Sequence, residues 1–223
     1  MRFIIVHAGI QKKMMKRALY IAALVFPFLS FAQSFEGSIY FTRSNLTDVV
    51  KYAYHVKGDM VRIDEYDQDM EKVIGTLLVD LSKEEMLALS HQRQLFMQRE
   101  NRDYDPGFES ALAVSSGNKR EIMGMSCQQV RVKNEAADRE IAYWVADGEF
   151  DFFPKLLKVL KRKDNFSTYY MQIPDSGGKL PIHATERDLM RNTKGSLAID
   201  RIEKQQLAAD LFEVPKDYYK VDQ

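Results

Sequence analysis

Residues 50–65 read VKYAYHVKGDMVRIDE, and the fold is decided in this stretch. Val50, Tyr52, Tyr54 and Val56 share one face at the two-residue period of a half-buried strand, and Val61-Arg62-Ile63-Asp64-Glu65 answers as a second strand. The connection Lys57-Gly58-Asp59-Met60 is too short for anything but a tight turn, which predicts a hairpin turning at Gly58-Asp59. Outward from this hairpin the same pattern recurs. Upstream, Phe35, Gly37, Ile39 and Phe41 fall on one face. Downstream of an acidic turn (Asp67 to Glu71), strands are expected at Val73–Asp80, Glu85–Ser90 and Leu95–Arg99, linked by Leu81-Ser82-Lys83-Glu84 and His91-Gln92-Arg93. Residues 100–118 carry Asp105-Pro106-Gly107 and Ser115-Ser116-Gly117-Asn118 and read as a loop with at most one helical turn. Strands resume at Lys119–Met123, Cys127–Lys133 and Arg139–Ala146, then at Phe166–Ile173, Leu180–Arg187 and Ser196–Glu203, with Pro174 to Gly178 as a turn. Roughly eleven short strands at close turn spacing predict a β-rich (α+β) domain built on antiparallel meanders.

One helix interrupts the strands. Over Glu149–Lys163, successive steps of about 100° place Phe152, Phe153, Leu156, Leu157, Val159 and Leu160 on one arc and Lys155, Lys158, Lys161 and Arg162 on the other. A basic amphipathic helix of this kind packs its apolar arc on a sheet, and it can also serve as a lid over an apolar cavity or touch an anionic lipid surface.

The composition narrows the partners. Thirty-two Lys+Arg balance 32 Asp+Glu, yet residues 1–32 hold five bases and no acid, so the remainder carries −5. A mildly acidic domain is a poor match for nucleic acid, whose phosphates call for clustered Lys and Arg. The amino terminus itself reads as an address. Lys16 and Arg17 precede an apolar run from Ala18 to Phe31, ending in Ser30-Phe31-Ala32, the tripartite plan of a secretory signal peptide with cleavage expected between Ala32 and Gln33. The run falls short of the ~20 residues that span a bilayer, so the processed chain is not expected to be membrane-spanning. Residues 1–13 read as an extension ahead of a start at Met14 or Met15. With Cys127 the only cysteine, neither a lipid anchor behind the signal nor an internal disulfide is expected, and Cys127 reads as a small buried hydrophobe. The expected product is a soluble periplasmic domain over residues 33–223.

Motifs for chemistry are sought and not met. His55, His91 and His183 stand apart and show no H-E-x-x-H or His/Cys spacing, so no metal is expected. Asp64 to Glu71 is acidic enough to suggest calcium, but an EF-hand register puts Lys72 where glycine is required and Leu78 where the bidentate glutamate belongs. Gly124-Met125-Ser126-Cys127-Gln128 lacks the last glycine of a nucleophile elbow, and Gly177-Gly178 lacks the Lys-Ser/Thr of a phosphate loop. No catalytic residue and no cofactor are expected; a hydrolase would need a carboxylate pair or a Ser/His/Asp set converging in one cleft.

Several segments taken together resemble a known group: Phe35-Glu36-Gly37-Ser38-Ile39, Val56 to Arg62, Leu78-Val79-Asp80-Leu81, Lys119 to Cys127, Trp144-Val145-Ala146, and Leu211-Phe212-Glu213-Val214-Pro215-Lys216-Asp217-Tyr218. In order and spacing the chain resembles an uncharacterised family of exported bacterial envelope domains related in fold to the LolA-like lipoprotein carriers. The resemblance spans nearly all of residues 35–219. It implies a strongly curved antiparallel sheet, a half-open barrel closed by helices over an apolar ligand such as an acyl chain. The sequence lacks the carriers' long helix after the signal peptide.

These readings converge on a non-catalytic periplasmic module for a lipid-like or other hydrophobic ligand. Its expected lining is Phe35, Ile39, Phe41, Tyr52, Tyr54, Leu87, Leu89, Trp144, Phe152, Phe153, Leu156 and Leu160, with affinity from apolar area removed from water at about 25 cal/mol per Å². The alternative is an envelope structural or interaction protein that docks a protein partner through a strand edge or through the basic face Lys155, Lys158, Lys161 and Arg162.

Overall fold

The computed structural model describes residues 34–67, 69, 71–100 and 112–222; the expected signal segment, its cleavage site and Asp105-Pro106-Gly107 lie outside the described residues. Within the unit Ser34–Gln223 the strands are β1 (Gly37–Asn45), β2 (Val49–Lys57), β3 (Met60–Tyr66), β4 (Val73–Asp80), β5 (Glu85–Ser90), β6 (Leu95–Arg99), β7 (Leu112–Ile122), β8 (Met125–Asn134), β9 (Arg139–Asp147), β10 (Lys179–Arg187), β11 (Thr193–Lys204) and β12 (Tyr219–Lys220). Helices α1 (Phe152–Leu160) and α2 (Asn165–Tyr170) fall between β9 and β10. All strands join one open, curved sheet in the order β12-β6-β5-β4-β3-β2-β1-β11-β10-β9-β8-β7. Every pairing is antiparallel except β12 on β6. This is the β-rich architecture the sequence predicts and the resemblance implies.

The hairpin of residues 50–65 forms in the expected register, Val56 opposite Val61 and Lys57 opposite Met60, with Gly58 at φ +58° supplying the turn. Cross-strand partners share a face, so the register sorts the side chains. Ile39, Tyr54, Ile63 and Leu77 lie in one row on the face covered by the helices; Ser38, His55, Arg62, Leu78 and Leu87 lie in a row on the other. The helix-covered face holds the main core, with Phe35, Ile39, Val56, Val61, Tyr143, Leu156 and Ile182 buried.

Over β2–β6 the opposite face is closed by the C-terminal segment. Phe212 of a short 3-10 turn (Ala209–Phe212) is buried there. Arg62 donates to the Leu211 carbonyl at 3.1 Å, Lys57 to the Leu207 carbonyl, and the Leu207 N–H to Glu36 at 3.0 Å. Beneath runs a polar chain. Tyr218 and Thr76 flank the His91 ring at 2.6 Å each, and the Thr76 hydroxyl donates to Asp64. Because Thr76 spends its proton on a carboxylate, His91 Nε2–H must donate to Thr76 and Nδ1 must accept from Tyr218. Thus the closing F-x-V-P-x-x-Y of the sequence works as a clasp, in which Phe212 is the anchor and Tyr218 the catch.

This arrangement sets a pH dependence. Burial, helped by the Arg62 charge, pushes the His91 imidazole below its ordinary value, so the folded form prefers it neutral. His183 is displaced the same way by burial and Arg120. A lowered histidine contributes stability that is complete above the unfolded value of about 6.5 and fades as pH falls below it. The urea midpoint is therefore expected to drop between pH 7 and 5, and His91→Gln to remove part of that slope; an unchanged slope would contradict the clasp.

Three expectations are corrected. Phe166–Ile173, read as a strand, is instead α2 followed by a turn. Asp164 caps it, accepting from the Ser167 N–H at 3.0 Å and the Ser167 hydroxyl at 2.8 Å, and Phe166, Tyr169 and Tyr170 bury one side. The alternating aromatic pattern hid a capped helical turn. Residues 112–118, read as loop, belong to β7: Ser115 to Lys119 forms a bulge on that edge strand, where the Ser116 hydroxyl donates to Gln129 Oε1 at 3.0 Å. The two-residue β12 carried no signal, since tertiary position alone aligns it with β6. The long helix is shorter than expected, ending at Leu160 because Lys161 turns left-handed at φ +41°.

Candidate ligand-binding site

Helices α1 and α2 meet the sheet over β1, β2, β9, β10 and β11, and between them lies an apolar slot. Its volume is about 600 Å³ including the open mouth, and its interior is narrow, with room for only a few water-sized molecules. The floor is Ile39 and Phe41 from β1, Tyr52 and Tyr54 from β2, Leu197 and Ile199 from β11, and Leu180 and Pro181 from β10. Tyr143 reaches in from β9, its hydroxyl donating to the Phe166 carbonyl at 2.9 Å. Phe153 and Leu157 of α1 and Phe166 and Ser167 of α2 form the roof. Phe41 packs against Tyr52 (5.1 Å, 21°) and edge-on against Tyr54 (4.7 Å, 88°), which fixes the floor.

The mouth is charged. Arg43, Arg162 and Asp164 line it. The Arg162 guanidinium carbon sits 5.7 Å from the centre of the Tyr52 ring, and Arg43 Nη1 lies 3.6 Å from Asp164 Oδ1. The nearby Tyr54 phenol, then Asp164, Tyr52 and Glu65, favour the charged guanidinium, outweighing the burial that opposes it. Burial pushes the Tyr54 hydroxyl up, with Arg162 pulling the other way; burial raises Tyr52 too. Both phenols therefore stay protonated and neutral at ordinary pH.

The structure distributes the predicted lining over three places. Ile39, Phe41, Tyr52, Tyr54 and Phe153 come together at the slot. Phe35 and Phe152 stack on each other (5.9 Å, 26°) and border a separate cleft with Lys155 at the opposite end of α1; Leu156 and Leu160 are buried between helix and sheet without reaching the slot. Leu87, Leu89 and Trp144 are corrected: register puts Leu87 and Leu89 on the clasp side, and alternation from the buried Tyr143 turns Trp144 to the other face, beneath Arg120 at 4.7 Å. Alternating strands gave two faces each, and nothing local marked which one the helices cover. Of the basic face, Lys155 and Lys158 are exposed and Lys161 half-buried, whereas Arg162 is corrected from the outer surface to the mouth of the slot, swung inward by the left-handed Lys161.

Sequence reasoning missed the roof residues Leu157, Phe166 and Ser167 as lining, and with them Arg43, Asp164, Tyr143, Leu180, Pro181, Leu197 and Ile199. Asp164 had a usable signal, the Asp-x-x-Ser spacing of a helix cap, which would also have placed Phe166 and Ser167 on a helix; the strand residues reach the slot only through long-range pairing.

A Ser–His–Asp line does occur on the clasp side. Ser38 Oγ lies 2.7 Å from His55 Nδ1, and His55 Nε2 lies 3.4 Å from Asp64 Oδ2. Ser38 is 1% exposed, so its hydroxyl meets no solvent and opens on no cleft; the line is part of the core. No group of three or more metal-ligating side chains occurs among the described residues. Cys127 is buried, and burial pushes its thiol up.

An open curved sheet with two helices roofing an apolar slot defines a half-open, helix-lidded fold. The chain belongs to the domain-of-unknown-function family DUF4412, whose model matches residues 35–218. Among solved structures, an uncharacterised conserved protein from Thermus thermophilus shares the fold, with a TM-score of 0.53 at 7% identity over 92% of this chain and 98% of that one. More distant similarity is found to the MucA/MucB complex structure of Pseudomonas aeruginosa (TM-score 0.47, 10% identity, 84% of this chain and 58% of that one). A DUF1329 family protein from Desulfovibrio piger follows (TM-score 0.34, 10% identity, 82% and 91%). No curated protein matches the chain. Among the described residues no helix is long and apolar enough to cross a membrane.

Proposed function

We propose that this domain is an exported, non-catalytic binding module that takes a hydrophobic ligand into the slot beneath α1. The observation that carries the reading is the slot itself: aromatic and aliphatic side chains from several strands converge under a helix around a narrow apolar cleft that opens to solvent. Because the interior is narrow, entry of an acyl chain requires α1 to shift outward. That helix is one short segment whose N-cap residue, Asp151, makes no side-chain capping bond, and its buried apolar arc is the contact such a shift would have to loosen.

A fluorescent fatty acid titrated into the domain Gln33–Gln223 is expected to gain emission saturably and to be displaced by unlabelled fatty acid. Leu157→Asp, which places a charge in the roof, is expected to weaken that uptake at least about tenfold, since an unpaired charge facing an apolar ligand is costly. Uptake that is absent, or indifferent to Leu157→Asp, would remove the reading.

A second reading rests on β7. It is an edge strand of 11 residues with Leu112 64% and Val114 48% exposed, the kind of edge onto which a partner's strand can add. Its test is a protein pull-down from envelope extract that Val114→Lys abolishes.

A further inference from the structure

We propose that the slot selects an amphiphile with an anionic head, holding the head between Arg162 and Arg43 and the tail along Phe41, Phe153 and Leu157. This rests on the reading of the slot as a ligand site and adds the chemical class of the ligand.

Arg162 is the unusual group. It stands half-buried at the mouth of an apolar slot over the Tyr52 ring, and among the described residues no carboxylate lies within 4.0 Å of it and no hydrogen bond to it is formed. A half-buried guanidinium with no partner in the protein keeps its N–H donors open to an incoming anion, and the low-dielectric surroundings strengthen such a contact. The nearby carboxylates are otherwise engaged or too far. Asp164 spends Oδ1 on the Ser167 N–H and Oδ2 on the Ser167 hydroxyl, which leaves a long 3.6 Å contact to Arg43. Glu65, across the ladder from Tyr52, acts on Arg162 at a distance but makes no ion pair with it among the described residues. The two arginines approach the mouth from different elements, Arg43 from β1 and Arg162 from beyond the end of α1. Because Arg162 follows directly on the lid, an anion bound there would tie the lid's C-terminal end to the sheet through Arg43. A planar fork of N–H donors suits a carboxylate or a phosphate equally, so the shared chemistry is a single anionic head on an apolar tail.

The test compares dodecanoate, dodecyl phosphate, dodecanol and dodecyltrimethylammonium as competitors of a fluorescent fatty acid, each below its micelle concentration. Dodecanoate or dodecyl phosphate is expected to bind on the order of tenfold or more tighter than dodecanol, the effect of a charge-assisted contact, and the better of the two identifies the head. Arg162→Gln is expected to erase that preference with little change for dodecanol, and Glu65→Gln to strengthen anion binding. Should Arg162→Gln shift the unfolding midpoint, Arg43→Gln reads the same preference independently. Equal affinity of dodecanol and both anions would overturn the proposal and leave the apolar site standing; no binding by any of the four would remove both.

Discussion

Asp64→Ala is expected to lower stability by about 3–5 kcal/mol, the range for removing one partner of a buried ion pair. Asp64 is 3% exposed, and three side chains converge on its carboxylate. Arg62 Nε lies 3.0 and 2.9 Å from its two oxygens, Thr76 donates to it, and His55 Nε2 stands 3.4 Å away. Burial alone would raise this carboxyl, and the hydrogen bonds from His55, Arg62 and Thr76 reverse the direction, so it is held below the usual carboxylate range. Its stabilising share is therefore present above the unfolded value near 3.9 and is lost as pH falls through the lower folded value. Truncation strands the Arg62 guanidinium and the Thr76 hydroxyl beneath the C-terminal clasp. Loss of the His91–Tyr218 link should follow, seen as faster amide exchange over residues 205–220. A urea midpoint within error of the parent would contradict this account of the face opposite the helices.

Gly37→Ala should be nearly as damaging, about 3 kcal/mol or more, because the position combines a φ of +149° with an obstructed side-chain site. A Cβ there would stand 2.0 Å from the Glu203 carbonyl oxygen and 3.0 Å from Lys204 Cα, both backbone atoms of β11 that cannot swing aside. β1 and β11 form the seam between the two halves of the sheet, with Gly37 opposite Lys204. Relief of the clash must open that seam, and β1 is also the strand that delivers Ile39, Phe41 and Arg43 to the slot. A fall in Tm of roughly 10 °C is expected for a domain of this size, with weakened ligand uptake; a shift under about 2 °C would show that β11 yields more easily than the geometry allows.

What was legible in the chain was short-range. The hairpin at Gly58-Asp59 could be read because turn chemistry and two-residue alternation act within a dozen residues. The apolar arc of α1 could be read because helical period and burial coincide, and Phe152, Phe153, Leu156, Leu157, Val159 and Leu160 are all buried. The illegible part was sidedness. In β2, Ala53 and His55 are buried as well as Tyr52 and Tyr54, since helices cover one face and the C-terminal segment the other. Alternation then marks strands without naming the face that meets the lid, and so Leu87, Leu89 and Trp144 were drawn to the wrong side. Arg162 was misplaced for a different reason. A helical wheel extended past Leu160 puts it among the surface lysines, whereas one left-handed residue, Lys161, ends the wheel and redirects it. The slot's remaining wall, from Tyr143 to Ile199, is assembled by pairings between strands far apart in sequence, and no local pattern encodes that.

The most direct test of the central claim, that the slot beneath α1 holds a hydrophobic ligand, is native mass spectrometry with organic-solvent extraction of the domain purified gently from its own host. The account predicts a stoichiometric co-purifying amphiphile that added fatty acid displaces. A bare protein mass, together with no uptake of added fatty acid, would contradict it.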